Sequence, residues 1–299
     1  MNETLLRIIS GFSIAIIYVV FFQFGRFGYL PLYFFISFVN LTVLTEFYGM
    51  FLKKANDKFT WYSALFFSLI IVSLIYLDSL KSYQLIAPSE PQFVFSLSDS
   101  IPDLNLISSV VFVLFIIVNG LYFILKSRLN DSVQVISFSL FGLLYISVTI
   151  SFIFKLRGLP YGAFYIWFVS VITVMTDVGG YFIGKFFGRH KINLPVSPKK
   201  TWEGYIGSFL FQFISVFIFY FVSSKYFAIP SFSHIQLAIV SILIFSTSVF
   251  GDLFESLIKR NASIKDSGQF LPGHGGLLDR IDSIMFSLPV FYFYLTFFR

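Results

Sequence analysis

The residues best suited to chemistry stand in one polar, glycine-punctuated stretch, residues 256–282, which apolar runs flank on both sides. Asp279 and Asp282 are three residues apart, so they share one face if a helix begins here. Asp252 lies one turn before the stretch, on the preceding apolar run. The same region carries four basic residues: Lys259, Arg260, Lys265 and Arg280. Acids and bases in this combination predict a site for a metal-bound polyphosphate.

The helix that precedes this stretch presents a polar face. Asp252, Glu255, Ser256 and Lys259 share that face because they stand at positions i, i+3, i+4 and i+7. The two acids of the next helix point the same way if residues 273–276 make a tight reversal. An alternative interpretation is an ion-pair network that closes the two helices.

The ligand types in this region favour Mg²⁺. Several oxygen ligands converge in a chain without cysteine, and Mg²⁺ is usually held by one or two carboxylates together with phosphate oxygens. His274 is a poor zinc ligand because no second His or Cys stands at ligand spacing. We expect His274 to contact phosphate or to stabilise the turn.

A second polar feature ends the sixth apolar run. Asp177, Tyr181 and Lys185 fall on one helical face at i, i+4 and i+8. A carboxylate within a bilayer helix costs about 2.5–3.5 kcal/mol, so Asp177 is expected to be functional, with pairing to Lys185 or another base as the alternative. A stripe of glycines at the same spacing is typical of close helix packing: Gly180, Gly184 and Gly188.

A third feature is the segment 197–204. Ser197 before Pro198 predicts a helix start, with Ser197 as N-cap and Pro198 at the first helical position. Lys199 and Lys200 then stand beside free N–H groups, which is a suitable arrangement for phosphate. The alternative is a capped helix whose lysines face lipid headgroups.

The composition around these segments predicts a polytopic membrane protein. Of 299 residues, 57% are hydrophobic and 12% are charged, and the mean hydropathy is +0.84, whereas soluble domains carry about 25% charged residues. The absence of cysteine excludes disulfides and thiolate zinc sites. The net charge of +6 resides in short loops between apolar runs. Membrane topology and anionic ligands explain it better than nucleic acid does, so we expect no nucleic-acid partner.

The apolar runs predict an all-α polytopic integral membrane protein with about nine transmembrane helices, because one span needs about 20 apolar residues. The runs are residues 5–24, 29–52, 59–77, 104–125, 133–154, 159–181, 202–222, 235–257 and 284–298. The first run is too long for a signal-peptide core and is interpreted as an anchor. Most of the 21 Lys and Arg residues lie on one side of the membrane if the N-terminus is cytoplasmic. That orientation places both polar loops of the C-terminal half in the cytoplasm.

The stretch that begins at Ser256 resembles the signature of the phosphatidate cytidylyltransferases (CDP-diacylglycerol synthases). The matching pattern is Ser256-x-x-Lys-Arg-x-x-x-x-Lys-Asp-x-x-x-x-x-Pro-x-His-Gly-Gly-x-x-Asp-Arg-x-Asp282. Further segments resemble family motifs in the same order: Asp177-x-x-x-Tyr-x-x-Gly-Lys-x-x-Gly-Arg189, Ser197-Pro-Lys-Lys-Thr-Trp-Glu-Gly204 and Gly251-Asp252. Before residue 150 the resemblance consists of hydropathy and of Glu46, in the second span, which resembles an acidic position of the family.

The resemblance implies a homodimeric membrane enzyme that makes CDP-diacylglycerol and pyrophosphate from CTP and phosphatidate at the cytoplasmic face of a bacterial plasma membrane. It implies Mg²⁺, and a neighbouring monovalent cation such as K⁺, at Asp252, Asp279 and Asp282. Lys259 and Arg260 are implied to act on the reacting phosphates. Substrate binding is implied for the other motif residues: Asp177, Ser197, Lys199, Lys200, Lys265, Asp266, His274 and Arg280.

We expect one membrane domain over residues 1–299, with a helical scaffold and dimer surface in 1–155 and a catalytic half in 156–299.

In the implied reaction the phosphatidate phosphate attacks the α-phosphorus of CTP in line. A phosphate monoester is largely dianionic at pH 7, so no general base is needed. One rival is a CTP-dependent lipid kinase, or a cytidylyltransferase that acts on another lipid phosphate. The other rival is a transporter, which the clustering of polar residues in one half disfavours.

Overall fold

The computed structural model describes residues 29–55, 57–87, 93–99, 103–127, 130–268, 270 and 275–298. The described chain is all-α, as predicted. Its helices are α1 (Leu30–Ala55), α2 (Lys58–Gln84), α3 (Phe93–Asp99), α4 (Leu104–Leu125), α5 (Ser132–Gly142), a π-helical segment (Leu143–Val148), α6 (Thr149–Arg157), α7 (Gly162–Phe187), α8 (Trp202–Tyr226), α9 (His234–Asn261) and α10 (Leu278–Phe297).

Seven stretches of the described chain are long and apolar enough to cross a membrane. They are Leu30–Phe51, Lys58–Gln84, Leu106–Leu125, Ser132–Arg157, Gly162–Phe187, Trp202–Tyr226 and His234–Asn261, and they correspond to seven of the predicted spans. The predicted span 5–24 lies outside the described residues. The predicted span 284–298 lies in α10, which carries Asp279 in its first turn and Pro289 in its interior and is not among the seven stretches. The protein is therefore a polytopic membrane protein, and the count of nine spans stays a prediction.

Short polar side chains begin several of these helices. Asp57 caps α2 and Asp103 caps α4, each by accepting backbone N–H groups of the first turn. Ser233 and Gln236 form a reciprocal capping box at the start of α9. Such a cap stabilises a helix by about 1 kcal/mol, so these residues help to fix where the apolar helices start.

The chain divides into two compact units. The first unit comprises Met1–Pro160 and Asp266–Asp279, and the second comprises Tyr161–Lys265 and Arg280–Arg299. The polar stretch 256–282 therefore contributes residues to both units. The predicted assignment of scaffold and catalytic roles to 1–155 and 156–299 stays a prediction.

In the first unit, α1 packs against α2 and against the helix that contains the π-helical segment. The ring of Tyr48 lies where a side chain at Gly142 would be, since a Cβ there would come within 2.7 Å of it. The Tyr48 hydroxyl donates to the backbone carbonyl of Ser139 at 2.9 Å. Tyr48 thereby fixes α1 at a point two residues from Glu46.

In the second unit, α7 and α8 pack closely through glycines. A Cβ at Gly207 would lie 2.4 Å from the Cβ of Ile183, and a Cβ at Gly180 would lie 2.4 Å from the Ser208 hydroxyl oxygen. A Cβ at Gly188 would lie 2.8 Å from the Thr201 hydroxyl oxygen. Close helix packing, the interpretation given for the glycine stripe, is thus what the structure shows at Gly180 and Gly188.

We expect the substitution Gly207→Ala to destabilise the protein by about 1–3 kcal/mol, because an added methyl group overpacks this helix contact. Thermal unfolding of the purified protein in detergent measures the effect as a lower midpoint. Gly120→Ala in α4 is the matched control, since a Cβ there meets nothing within 4 Å. Equal midpoints for the two variants would contradict the packing described for α7 and α8.

Candidate active site

Asp252 on α9 is the centre of a charged cluster in the second unit. Its carboxylate forms an ion pair with the Lys200 ammonium, and both side chains are partly exposed. Asp177 on α7 and Asp282 on α10 interact electrostatically with Asp252. Arg280 and Lys200 also act on Asp177. Residues from three helices and one loop, all predicted as site residues, are therefore brought together.

The alternative partner of Asp177 has a different contact. The Lys185 ammonium donates to the Tyr181 hydroxyl at 3.3 Å and lies over the same ring. Asp177 instead faces the positive charges of Lys200 and Arg280. Asp177 thus interacts electrostatically with the cluster around Asp252.

Asp282 is the buried acid of this cluster. Its side chain is on the first turns of α10, only 7% of the residue is exposed, and its Oδ1 accepts the backbone N–H of Ser283 at 2.6 Å. Gly251 lets α9 approach this point, because a Cβ on Gly251 would lie 2.4 Å from the Asp282 carbonyl oxygen. The pair Gly251-Asp252 therefore combines a close helix contact with a carboxylate directed at the cluster.

Lys200 supplies a fixed positive charge at this cluster. Burial by itself lowers the pKa of the Lys200 ammonium, but the charge of Asp252 and the hydrogen bond between them outweigh burial and raise the pKa above its ordinary value. The lysine consequently stays protonated at neutral pH. A group of this kind can neutralise a phosphate without a change of protonation state.

The cluster suits a cation, although it does not complete a metal site by itself. Carboxylates placed close together repel one another unless positive charge lies beside them. In the part of the chain that the structure describes, no three His, Cys, Asp or Glu side chains are grouped to hold a metal ion. Asp252 and Asp282 nevertheless provide two carboxylates, and Mg²⁺ commonly takes its remaining ligands from phosphate and water. The metal centre predicted at Asp252, Asp279 and Asp282 stays a prediction.

The predicted start of α8 is wrong by four residues. Thr201, not Ser197, is the N-cap, and its hydroxyl oxygen accepts the N–H of Gly204 at 3.1 Å. Ser197 instead closes a tight turn, in which its N–H donates to the Leu194 carbonyl at 3.0 Å and its carbonyl accepts the Lys200 N–H at 3.3 Å. Tertiary contacts of this loop override the local preference of Ser-Pro for a helix start.

The loop that precedes α8 folds back on itself, and it carries both Lys199 and Lys200. The N–H of Trp202 donates to the His190 carbonyl at 3.0 Å, and Lys191 pairs with Thr201 in an isolated β-bridge. Lys199 is exposed in the loop, whereas Lys200 turns inward to Asp252. The phosphate role predicted for Ser197, Lys199 and Lys200 stays a prediction, without the support of helix N–H groups at that position.

Glu203 organises this loop, and the prediction from sequence did not assign it a role. Its carboxylate accepts the N–H of Arg189 at 3.1 Å and that of His190 at 3.2 Å, and it lies 2.5 Å from His190 Nδ1. The sequence signal was its position two residues after Thr201, in the first turn of α8. Glu203 therefore ties the two ends of the loop that presents Lys200.

The end of α9 carries the other basic residues of the site. Lys259 pairs with Glu255 at 2.5 Å, one helical turn away, and Glu255 is only 1% exposed. Lys259 also acts electrostatically on Asp282. The Arg260 guanidinium donates to the Ile264 carbonyl at 3.2 Å and closes the turn after the helix. The sequence placed Glu255 on the polar face without giving it the buried pairing role that the structure shows.

Lys265 and Asp266, which follow this turn, are exposed. Neither is part of a described ion pair with a site residue. Their predicted substrate contacts stay predictions. His274 lies outside the described residues, so its predicted phosphate contact also stays a prediction.

In the first unit, two carboxylates bind backbone N–H groups of Ser267 and of residues 276–278. Asp279 Oδ2 accepts the N–H of Ser267 at 3.1 Å and that of Gly276 at 3.0 Å. Glu46 on α1 accepts the N–H groups of Leu277 and Leu278, each at 2.9 Å. Asp279 thus serves here as a backbone acceptor, and its predicted place in the metal centre is untested. Glu46, which the family resemblance singled out, contacts the start of α10 directly.

Several known proteins have sequences related to this chain. The profile of the cytidylyltransferase family matches residues 5–298. A phosphatidate cytidylyltransferase of Bacillus subtilis (strain 168) is 37% identical over 164 residues, which are 54% of this chain and 59% of that protein. One of Haemophilus influenzae (strain ATCC 51907 / DSM 11121 / KW20 / Rd) is 43% identical over 141 residues, which are 45% of this chain and 47% of that protein. One of Staphylococcus aureus (strain COL) is 38% identical over 156 residues, which are 52% of this chain and 56% of that protein.

The chain covers about half the length of these relatives. The family profile, in contrast, extends over nearly the whole chain. The matched range includes the helices α7 to α10, the carboxylates in the cluster around Asp252, and the carboxylates of Glu46 and Asp279. The chain belongs to the cytidylyltransferase family.

Proposed function

We propose that this protein is a CTP:phosphatidate cytidylyltransferase, which makes CDP-diacylglycerol and pyrophosphate for phospholipid biosynthesis. The observation that carries the proposal is the cluster in which Lys200, Asp252 and Asp282 meet, in a polytopic membrane protein of the cytidylyltransferase family. Relatives named phosphatidate cytidylyltransferase support the choice of substrate.

The reaction requires two phosphate-bearing anions to approach each other. The phosphatidate phosphate attacks the α-phosphorus of CTP, and the bond from that phosphorus to the pyrophosphate oxygen breaks. Because the attacking phosphate is largely dianionic at pH 7, the site need not remove a proton from it. What the protein must supply is orientation and positive charge, and Lys200, Lys259 and Arg280 provide that charge in the second unit.

Asp252 and Asp282 are the residues that would hold Mg²⁺ in this site, and a monovalent cation such as K⁺ would stand beside it. When bound, these cations would neutralise negative charge on the phosphate oxygens. Lys200 would then orient a substrate phosphate rather than pair with Asp252 alone. The buried Glu255 would keep Lys259 in place on the same face of α9.

The membrane setting suits a lipid substrate. The acyl chains of phosphatidate would stay in the bilayer while its headgroup reaches the polar cluster, and CTP would arrive from the cytosol. We extend the proposal to a cytoplasmic site in the bacterial plasma membrane and to a homodimer. The bacterial relatives support the source of the membrane.

A turnover assay with product separation tests the proposal. The detergent-solubilised protein is incubated with CTP, phosphatidate and Mg²⁺, and nucleotide and lipid products are resolved. CDP-diacylglycerol is the expected product. CDP together with a newly phosphorylated lipid would instead identify a kinase, and turnover only with another lipid phosphate would identify a different cytidylyltransferase.

We expect removal of divalent metal with EDTA to abolish turnover and addition of excess Mg²⁺ to restore it, since two carboxylates and a triphosphate are typical Mg²⁺ ligands. When K⁺ is replaced by a large organic cation in the same assay, we expect lower turnover, which tests the proposed monovalent-cation site. Full activity after EDTA treatment, with metal shown to be absent by elemental analysis, would contradict the proposed metal dependence.

A further inference from the structure

We infer that Glu46 is a positioning residue that holds the start of α10, the helix that carries Asp279 and Asp282. The kinetic part of this inference rests on the proposed function, whereas the structural part does not. Glu46 stands on α1, more than 200 residues earlier in the chain than the segment it binds. The contact therefore gives the first part of the chain a specific task in the proposed reaction.

The Glu46 carboxylate uses both of its oxygens on this segment. Oε1 accepts the N–H of Leu277 at 2.9 Å, and Oε2 accepts the N–H of Leu278 at 2.9 Å. The Ser267 hydroxyl donates to Oε2 at 3.4 Å. Two backbone bonds from neighbouring residues fix the orientation of the segment, which a single bond would leave free to rotate.

The backbone groups that Glu46 binds have little access to water. Leu278 is fully buried and Leu277 is 9% exposed. The first N–H groups of a helix have no partner within the helix, so a buried helix start needs an acceptor from elsewhere. A negative charge at this position also interacts favourably with the helix dipole. Glu46 meets both requirements from another helix.

Glu46 and Asp279 divide this task between them. Asp279 Oδ2 takes the N–H groups of Ser267 and Gly276, and Glu46 takes those of Leu277 and Leu278. Three consecutive N–H groups at the start of α10 are thus bound by carboxylates. Any movement of Glu46 would be transmitted to the turn that Asp279 also binds.

Two glycines leave room for this carboxylate. A Cβ on Gly268 would lie 2.6 Å from Glu46 Oε1, and a Cβ on Gly276 would lie 2.8 Å from Oε2 and 1.9 Å from the Ser267 hydroxyl oxygen. Side chains at these positions would push the carboxylate away. The Gly-Gly pair that ends at Gly276, part of the pattern noted in the sequence, has a packing reason in the approach of Glu46.

The expected consequence of losing Glu46 is a shift of the helix start rather than loss of a reacting group. Its described hydrogen bonds are to the backbone and one hydroxyl of the protein, so we assign it a positioning role and not a catalytic one. Misplacement of a reacting group by about 1 Å can cost about 100-fold in rate. We therefore expect the effect of its removal to fall on kcat.

The primary test compares Glu46→Ala with Thr45→Ala, its neighbour on α1, whose hydroxyl donates only within its own helix to Leu41 in the described contacts. For Glu46→Ala we expect kcat to fall by about 10- to 100-fold, with KM for both substrates changed by less than about threefold. Hydrogen exchange of the amides at 276–278 should accelerate by about tenfold or more, while exchange in the other helices stays close to that of the control. The thermal midpoint should fall by a few degrees at most, because two buried N–H groups lose their acceptor.

Two further variants separate positioning from a general loss of structure. Glu46→Gln keeps the shape but offers one carbonyl oxygen and turns an amide donor toward the second N–H, so we expect intermediate kcat and exchange. Gly276→Ala should reproduce the Glu46→Ala defect by displacing the carboxylate. Because both changes act on one contact, the double variant should lose less activity than the product of the two single losses.

The inference is overturned if Glu46→Ala keeps kcat within about twofold of the control and leaves amide exchange at 276–278 unchanged. It is also overturned if exchange accelerates to the same degree in every helix, because Glu46 would then be a general stability residue. If the unaltered protein makes no CDP-diacylglycerol, the proposed function fails. Amide exchange at 276–278 then decides the inference, since acceleration supports the contact and unchanged exchange contradicts it.

Discussion

The substitution Asp282→Asn is expected to lower turnover by about a thousandfold or more while the protein stays folded and inserted in the membrane. Asp282 is buried beside Asp252, so its charge acts in a setting that solvent screens weakly. Asparagine has nearly the same shape and can still accept the N–H of Ser283. The change therefore removes charge and little else.

Asp103→Asn is the matched control for this experiment. Asp103 caps α4 through the N–H of Leu106, and asparagine caps helices as well as aspartate does. Turnover and thermal midpoint are measured for both variants in the same detergent. Activity of Asp282→Asn within a few-fold of the control would show that its charge is not required.

The second large effect is expected for Lys200→Ala, which should raise KM for CTP or phosphatidate by about 10- to 100-fold. A hydrogen bond to a charged group contributes about 1.5–3 kcal/mol, and Lys200 is placed to make such a bond with a phosphate. The variant also leaves the partly buried Asp252 carboxylate without its cation. Initial rates at varied concentrations of each substrate measure the effect.

Two further variants serve as controls for Lys200→Ala. Lys200→Arg retains the positive charge, so we expect it to recover part of the affinity. Lys225→Ala, in the last turn of α8, removes an equal charge at the far end of the helix that follows Lys200 and should leave both KM values unchanged. If Lys200→Ala also leaves both KM values unchanged, the loop 188–201 is not part of the substrate site.

The transmembrane helices could be predicted closely because their limits are set by local chemistry. The predicted span 104–125 has the same bounds as α4, since Asp103 caps its start and Lys126 follows its end. The span 159–181 was too short by six residues at its C-terminal end, because α7 continues through Lys185 to Phe187. Hydropathy falls there, but packing of the glycines against α8 keeps the helix intact.

The start of α8 could not be predicted from local preference. Ser197-Pro198 is a common way to begin a helix, yet the chain makes one more turn and α8 begins at Trp202, after the N-cap Thr201. The deciding contacts come from Glu203 and from the carbonyl of His190. Both are tertiary contacts across the loop, which spacing along the sequence does not reveal.

The residue types of the candidate site were predictable, but their partners were not. Helical spacing put Asp252, Glu255 and Lys259 on one face, and the structure adds the ion pair between Glu255 and Lys259. That Lys200 reaches Asp252 across 52 positions of sequence depends on the folded loop. The spacing of Asp279 and Asp282 suggested a shared face, whereas Asp279 binds backbone N–H groups and Asp282 faces Asp252.

The most direct measurement for the central claim follows the two ends of CTP separately. The purified protein is given phosphatidate, Mg²⁺ and CTP labelled in one sample at the α-phosphate and in another at the γ-phosphate. Cytidylyl transfer predicts that the α label enters the lipid fraction and that an equal amount of γ label appears in pyrophosphate. Transfer of the γ label to lipid, with the α label left in CDP, would contradict the account and identify a kinase.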